Sequence, residues 1–222
     1  IEKSELNLNL VNCSFNEAIK LKKEALTDII CYSNDNLIKF INKINNRELG
    51  RLKGNKYIKE LYVERKNIHD KFKEFLNNDK KIFFIKGNSG IGKTNIMCNL
   101  VESNMNDNTI LFYNSCFMEK SILNSILEEF NFAFDEQLYY RQLFSRINLL
   151  SKKNNKYFII CIDAIDELAI QNPVVSIDKF LDLVNEFSNI KVCLSCKESY
   201  INDYLEVNGV SSVLKNVSKE NI

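Results

Sequence analysis

The chain has 222 residues but only six glycines, under half the ~7% of an average protein, and three of them, Gly87, Gly90 and Gly92, fall within six positions. A chain this sparing with glycine clusters it only where the backbone demands it. The stretch reads "IKGNSGIGKTNIMCNL" over 85–100, with the pattern G-x-x-x-x-G-K-T from Gly87 to Thr94. Glycine reaches positive φ at no steric cost, so such a loop can turn its N–H groups inward as an anion nest. The helix that follows adds the positive end of its dipole. On this pattern Gly87, Asn88, Ser89, Gly90, Ile91, Gly92, Lys93, Thr94 and Asn95 form a phosphate-binding loop. Lys93 is placed to reach the β- and γ-phosphates, and the Thr94 hydroxyl to hold Mg²⁺.

The flanks agree with that reading. The apolar run "KIFFIKG" (81–87) precedes the loop, and Ile96, Met97, Leu100 and Val101 follow it at helical spacing. Strand, glycine loop and helix in that order are what a phosphate loop requires.

From 81 onward strands and helices alternate. Strands are expected at 81–86, 109–116, 156–163 and 190–196, with a weaker fifth at 211–215. Helices are expected at 93–104, 121–131, 135–151 and 176–188, the last capped by Ser176. The strands are almost continuously apolar, which predicts a sheet buried on both faces, hence parallel strands with helical crossovers. The expected fold is a three-layer α/β P-loop NTPase with a mostly parallel five-stranded sheet. An α-helical segment precedes it: amphipathic helices over 14–31, opened by a Ser14/Glu17 capping box, and over 35–48. "GRLKGNKY" (50–57) reads as a basic, solvated linker, and 58–76 as a further helix. His69, Lys152 and Lys153 read as ordinary polar positions.

A phosphate loop needs an acidic partner. "YFIICIDAIDEL" (157–168) ends an apolar strand on Asp163, the edge of an open α/β sheet where ligands sit. Asp163 is expected to hold Mg²⁺ with Thr94, largely through water, because Mg²⁺ keeps much of its hydration shell. The next position, where many P-loop ATPases carry a catalytic Glu, is Ala164. Acidic residues return at Asp166 and Glu167, so Glu167 is the candidate base and Asp166 its orienting neighbour.

Net charge is +1, with 30 basic and 29 acidic residues, so nothing indicates a nucleic-acid or membrane field. No apolar run approaches the ~20 residues needed to span a bilayer. The seven cysteines are scattered and odd in number, as expected for reduced thiols in a cytoplasmic protein. "CLSC" (193–196) lies in an apolar strand and reads as buried structural thiols rather than a metal pair.

The pattern "DAIDE" (163–167) after an apolar strand resembles the second acidic motif of the STAND class of P-loop ATPases, of ASCE type, and its NACHT-like members. Three further stretches are similar to that family: "LYVERKNIHDKFKEFL" (61–76), the phosphate loop, and "IKVCLSCKESY" (190–200). The resemblance implies that Tyr62, Val63 and Arg65 lie beside adenine, and that Lys197 stands where the family places an Arg near the γ-phosphate. Two departures matter. Lys is a point charge and not a bidentate fork, and Glu64 stands where many relatives carry Gly.

The resemblance further implies an ATP-dependent switch of antiviral defence, whose nucleotide-bound monomers assemble as homo-oligomers and activate an attached effector. The ATPase module then covers 56–222, and 1–55 is a helical connector or the end of the effector domain. The chain starts without Met and "SKENI" reads as the start of a helix, so it reads as a piece of a longer protein, and the resemblance implies a sensor for a viral protein trigger beyond 222. Two other readings compete: an AAA+-like motor or DNA-loading ATPase, and a P-loop kinase, whose Arg-rich lid is not found. No N-K-x-D follows the fourth strand, so adenine is expected over guanine.

Overall fold

The computed structural model describes residues 34–131, 140–200 and 218–221. The expected helix over 14–31, with its capping box, and the expected strand at 211–215 lie outside the described residues.

Hydrophobic runs form the strands β1 (Ile82–Gly87), β2 (Thr109–Asn114), β3 (Phe158–Asp163) and β4 (Ile190–Lys197). A short fifth strand, β5 (Ser218–Asn221), joins the edge at a segment whose sequence reads as a helix start. The order is β2-β3-β4-β1-β5, and every pairing is parallel. Parallel pairing gives all carboxyl ends one edge, and the register aligns them closely. Gly87 lies opposite Lys197, and Asn114 opposite Asp163.

Helices cover both faces: α1 (Asn34–Leu52), α2 (Lys66–Asn77), α3 (Lys93–Asn104), α4 (Ile122–Asn131), α5 (Tyr140–Lys153) and α6 (Pro173–Asn185). Strand side chains alternate between two cores. Phe84, Leu111, Ile160 and Val192 pack toward α4, α5 and α6. Phe83, Ile85, Phe112 and Cys161 pack toward α2 and α3. In the second core Phe72, Phe75 and Phe83 stack with ring centroids 5.4–5.9 Å apart.

Helix α1 joins both cores. Leu37, Ile41 and Ile44 enter the first, and Leu49 and Leu52 the second, so the helix runs along the open edge of β2. An edge strand carries unpaired backbone groups that need a partner. Asn45, fully buried, supplies one: its Nδ2 donates to the Ile110 carbonyl at 2.7 Å, and its Oδ1 accepts from the Phe112 N–H at 2.8 Å.

Several elements differ from the sequence expectations. The helix expected over 58–76 begins only at Lys66. A 3₁₀ turn at Lys59–Leu61 and extended backbone come first, leaving Leu61 and Val63 exposed. The chain's single proline, Pro173, starts α6 at its first turn, three residues before Ser176. Ser176 is therefore inside its own helix. Its buried hydroxyl accepts from the Ile122 N–H at 3.0 Å and caps α4 instead.

Lys191 of β4 is fully buried. Its ammonium donates to the Phe75 carbonyl at 2.6 Å and to that of Asn78, closing the carboxyl end of α2, and lies 3.8 Å from the Tyr157 ring centroid. Burial, reinforced by Lys81, pushes its titration down to about 8 from 10.5.

Two outcomes follow. Asn45→Ala orphans the Ile110 carbonyl and the Phe112 N–H, at about 1–3 kcal/mol for each buried group, so a lower urea midpoint with the same slope is expected. Lys191 binds its proton less tightly folded than unfolded, so its contribution to stability rises as pH climbs from about 8 towards 10.5. Denaturation across that range should show wild type gaining stability relative to Lys191→Met, and parallel curves would refute this.

Candidate nucleotide site

The loop 87–94 leaves the carboxyl end of β1 and enters α3 with two left-handed glycines, Gly90 at φ 81° and Gly92 at φ 92°, the latter capping the helix. An L side chain at either would be strained, which explains why the glycines cluster here. Lys93 folds back over this loop, donating to the carbonyls of Gly87 and Asn88, both at 2.8 Å. The loop is held from upstream too: Arg65, just before α2, donates from its guanidinium to the Ile91 carbonyl at 2.7 Å.

Asp163 ends β3 with no exposed surface. Asn114 Nδ2 donates to its Oδ2 at 2.8 Å, and the Ser195 hydroxyl of β4 donates to its Oδ1. The Thr94 hydroxyl also reaches this carboxylate. Burial raises its titration above the usual carboxylate value, and the donors Ser195, Thr94 and Asn114 oppose that rise. The phosphate-loop hydroxyl and the strand-end carboxylate therefore lie close together. Among the described residues no group of three or more His, Cys, Asp or Glu is arranged to hold a metal. One carboxylate beside one hydroxyl suits Mg²⁺, which takes its remaining ligands from water and phosphate.

Ala164 turns the chain sharply, with φ 55° and ψ 52°. Its N–H donates to Ser195 Oγ at 2.9 Å, so the hydroxyl that bonds Asp163 also fixes this left-handed residue. A single 3₁₀ turn, Ile165–Glu167, follows. Asp166 is turned toward β4: its Oδ1 accepts from the Lys197 N–H at 3.1 Å, and its Oδ2 pairs with Lys197 Nζ at 3.0 Å. That contact raises the Lys197 titration. Glu167 is ion-paired with Lys56, 3.1 Å from Nζ to Oε2. The short 3₁₀ turn sends the two carboxylates to separate cations.

On the other side of the loop, Ile58, Leu61, Tyr62, Val63, Arg65 and Asn95 line a cleft of about 480 Å³ that reaches Gly92. Tyr62 is braced from behind: its hydroxyl is 3.1 Å from His69 Nε2. His69 is buried, against the polar reading of its sequence neighbourhood, and burial lowers its titration.

The structure thus brings Thr94 to Asp163, and sets Tyr62, Val63 and Arg65 beside the loop. Lys197 lies on Asp166, and Glu167 stands off on Lys56. The sequence reading missed Asn114 and Ser195. Asn114 ends β2 and Ser195 lies near the end of β4, each in a strand next to β3, and strand order was the missing information. It also missed Lys56, hidden in a segment that reads as a solvated linker.

No protein-family model matches the chain, and no curated protein sequence does. Solved structures match in three dimensions. The Walker-type ATPase PABY2304 of Pyrococcus abyssi is 16% identical over 73% of this chain and 55% of its own, with a TM-score of 0.50. Cdc6p from Pyrobaculum aerophilum is 14% identical over 78% and 48%, with a TM-score of 0.51. A chain of Drosophila ORC bound to AT-rich DNA and Cdc6 is 13% identical over 82% and 57%, also at 0.51. This chain spans about half the length of those structures.

The left-handed Ala164 makes a checkable point. Left-handed backbone costs an L residue about 1–2 kcal/mol, and glycine gives back about 0.5–1 kcal/mol in backbone entropy. Ala164→Gly is expected to match or slightly exceed wild type in thermal stability, whereas Ala164→Val should melt several degrees lower. The glycine loop at the end of β1 and the acidic end of β3 flank β4, at one edge of a parallel sheet covered on both faces, and that fold is the α/β P-loop NTPase fold.

Proposed function

We propose that this chain is the ATP-binding, slowly hydrolysing switch module of a multidomain signalling or antiviral defence protein of STAND type. The carrying observation is the Thr94 hydroxyl lying near the buried Asp163 carboxylate, with Ala164 next to it and Glu167 drawn off on Lys56. Thr94 and Asp163 would hold Mg²⁺, which when bound supplies charge neutralisation across the phosphates. Lys93 would release the Gly87 and Asn88 carbonyls for the phosphates, a stronger charge-assisted contact. Adenine would lie in the cleft at Tyr62, Val63 and Arg65, with His69 bracing Tyr62.

A base must come within about 2.6–3.2 Å of the water it activates, or act through one more water. Ala164 offers no carboxylate there, and Glu167 begins paired elsewhere, so slow turnover is the expected property of the isolated module. Asp166 and Lys197 fix the start of β4's exit relative to Glu167. On this reading residues 56–222 are the ATPase module, 1–55 connect to an effector, assembly is as a homo-oligomer in the cytoplasm, and a viral protein is the trigger. No helix among the described residues is long and apolar enough to cross a membrane.

A second reading, an AAA+-like motor or DNA-loading ATPase, is favoured by the likeness in fold to Cdc6p and to ORC. Turnover separates the two. The switch reading expects Mg·ATP to bind tightly and to be hydrolysed far below the ~10 s⁻¹ median of enzymes. Lys93→Ala should weaken ATP binding about tenfold to a hundredfold in calorimetric titration, since a charge-assisted contact is worth ~1.5–3 kcal/mol, while circular dichroism stays native. Asp163→Ala should abolish the Mg²⁺ dependence of binding, and Glu167→Gln should retain ATP. Steady turnover near ten per second by the purified monomer would favour the motor. Unchanged ATP affinity in folded Lys93→Ala would overturn both.

A further inference from the structure

The segment that reads as a linker is firmly built. After α1 ends at Leu52, the Lys56 and Tyr57 N–H groups both donate back to the Leu52 carbonyl, at 3.0 and 2.9 Å. Gly54, at φ 78°, lets the turn close, and its N–H donates to the Tyr57 carbonyl at 3.0 Å. The turn is moored to the phosphate-loop helix at a single carboxylate. Glu102 of α3 pairs with Lys53 at 3.0 Å and Lys59 at 3.1 Å, and accepts from the buried Tyr57 hydroxyl at 2.9 Å. Three donors on one largely buried carboxylate fix the position of everything between 53 and 59.

Lys56 projects from that mooring. It lines the cleft beside the phosphate loop, together with Asn55, Tyr62 and Gly92. Its ammonium meets Glu167 at 3.1 Å and lies 4.0 Å from Cys116 Sγ. One side chain thus spans the proposed nucleotide cleft and the proposed base. The pairing engages Oε2 of Glu167 and holds that side chain on Lys56, so it is not free to turn toward a water.

We propose that the Lys56–Glu167 ion pair is an autoinhibitory latch, in which the turn after α1 holds the candidate base of the ATPase out of service until nucleotide or a neighbouring domain draws Lys56 away. The proposal rests on the ATPase reading above. Lys56 is a positioning residue, acting through Glu167. It connects α1 to the hydrolytic site, so a pull on the helix that precedes the module can be felt at the base.

The test compares full-chain wild type with Lys56→Met and Lys56→Arg. Each is measured for Mg·ATP affinity by calorimetry and for steady-state hydrolysis at low and high salt. An exposed ion pair can hold back a rate by about two- to fivefold. Lys56→Met is expected to raise kcat by that factor with KM nearly unchanged, and Lys56→Arg to keep the slow rate. Wild-type turnover should also rise with added salt, which screens the pair, while that of Lys56→Met should not. With ATP affinity intact, an unchanged or lower kcat in Lys56→Met, or no hydrolysis by any of the three, overturns the latch alone. Absence of ATP binding in wild type overturns the ATPase reading and the latch with it.

Discussion

A carboxylate with no exposed surface is a demanding thing to place, and the site is organised around satisfying Asp163. Its oxygens take donors from Asn114 at the end of β2 and from Ser195 on β4, and the Thr94 hydroxyl at the start of α3 lies near enough to lower its titration. Asp163 and its donors sit on separate elements, distant in the chain, that the parallel sheet brings to one edge. Burial raises the Asp163 titration, and the surrounding hydroxyl and amide donors oppose that rise. Ser195 does double service, because the same oxygen accepts the Ala164 N–H and so holds the chain in its left-handed turn away from the strand. The direction of Asp166 and Glu167 follows from that turn.

The two later acids are then separated by geometry. Successive side chains of a 3₁₀ turn point about 120° apart, so Asp166 goes to Lys197 and its neighbour Glu167 to Lys56. Each acid meets a cation from a different quarter of the molecule: the last residue of β4, and the turn that follows α1. The chemistry of the acidic motif is thereby tied to the sheet on one side and to the amino-terminal helix on the other.

Much of this was legible in the sequence. The glycine cluster announced the phosphate loop because left-handed positions leave few residue choices, and the apolar runs announced the strands because a sheet covered on both faces excludes water from every position. Asp163 was legible as the polar end of such a run. What escaped was what depends on strand order and on tertiary partners. Ser176 looked like the cap of its own helix, and proline three residues earlier made it the cap of another. His69 looked polar among polar neighbours, yet the turn of α2 buries it against Tyr62. The charge and glycine content of 50–57 matched a solvated linker, and nothing in one sequence shows that Glu102 collects two of its neighbouring lysines and a tyrosine. Lys191 reads as an odd charge in an apolar strand, and its role appears only when the end of α2 is set above it.

The side chain of Asn45 has a bearing on where this module can be cut. Its amide imitates one residue of a sixth strand, presenting a donor and an acceptor at the spacing β2 expects. Remove α1, and β2 becomes a bare, flat, strongly apolar border of the kind that recruits strands from other molecules. An expression boundary drawn at the sequence motif, just ahead of Tyr62, would therefore yield a protein with every residue of the nucleotide pattern present and a tendency to precipitate. A cut that keeps β2 covered therefore retains α1, Asn34–Leu52, which lids the sheet of the proposed 56–222 module even as it leads into it.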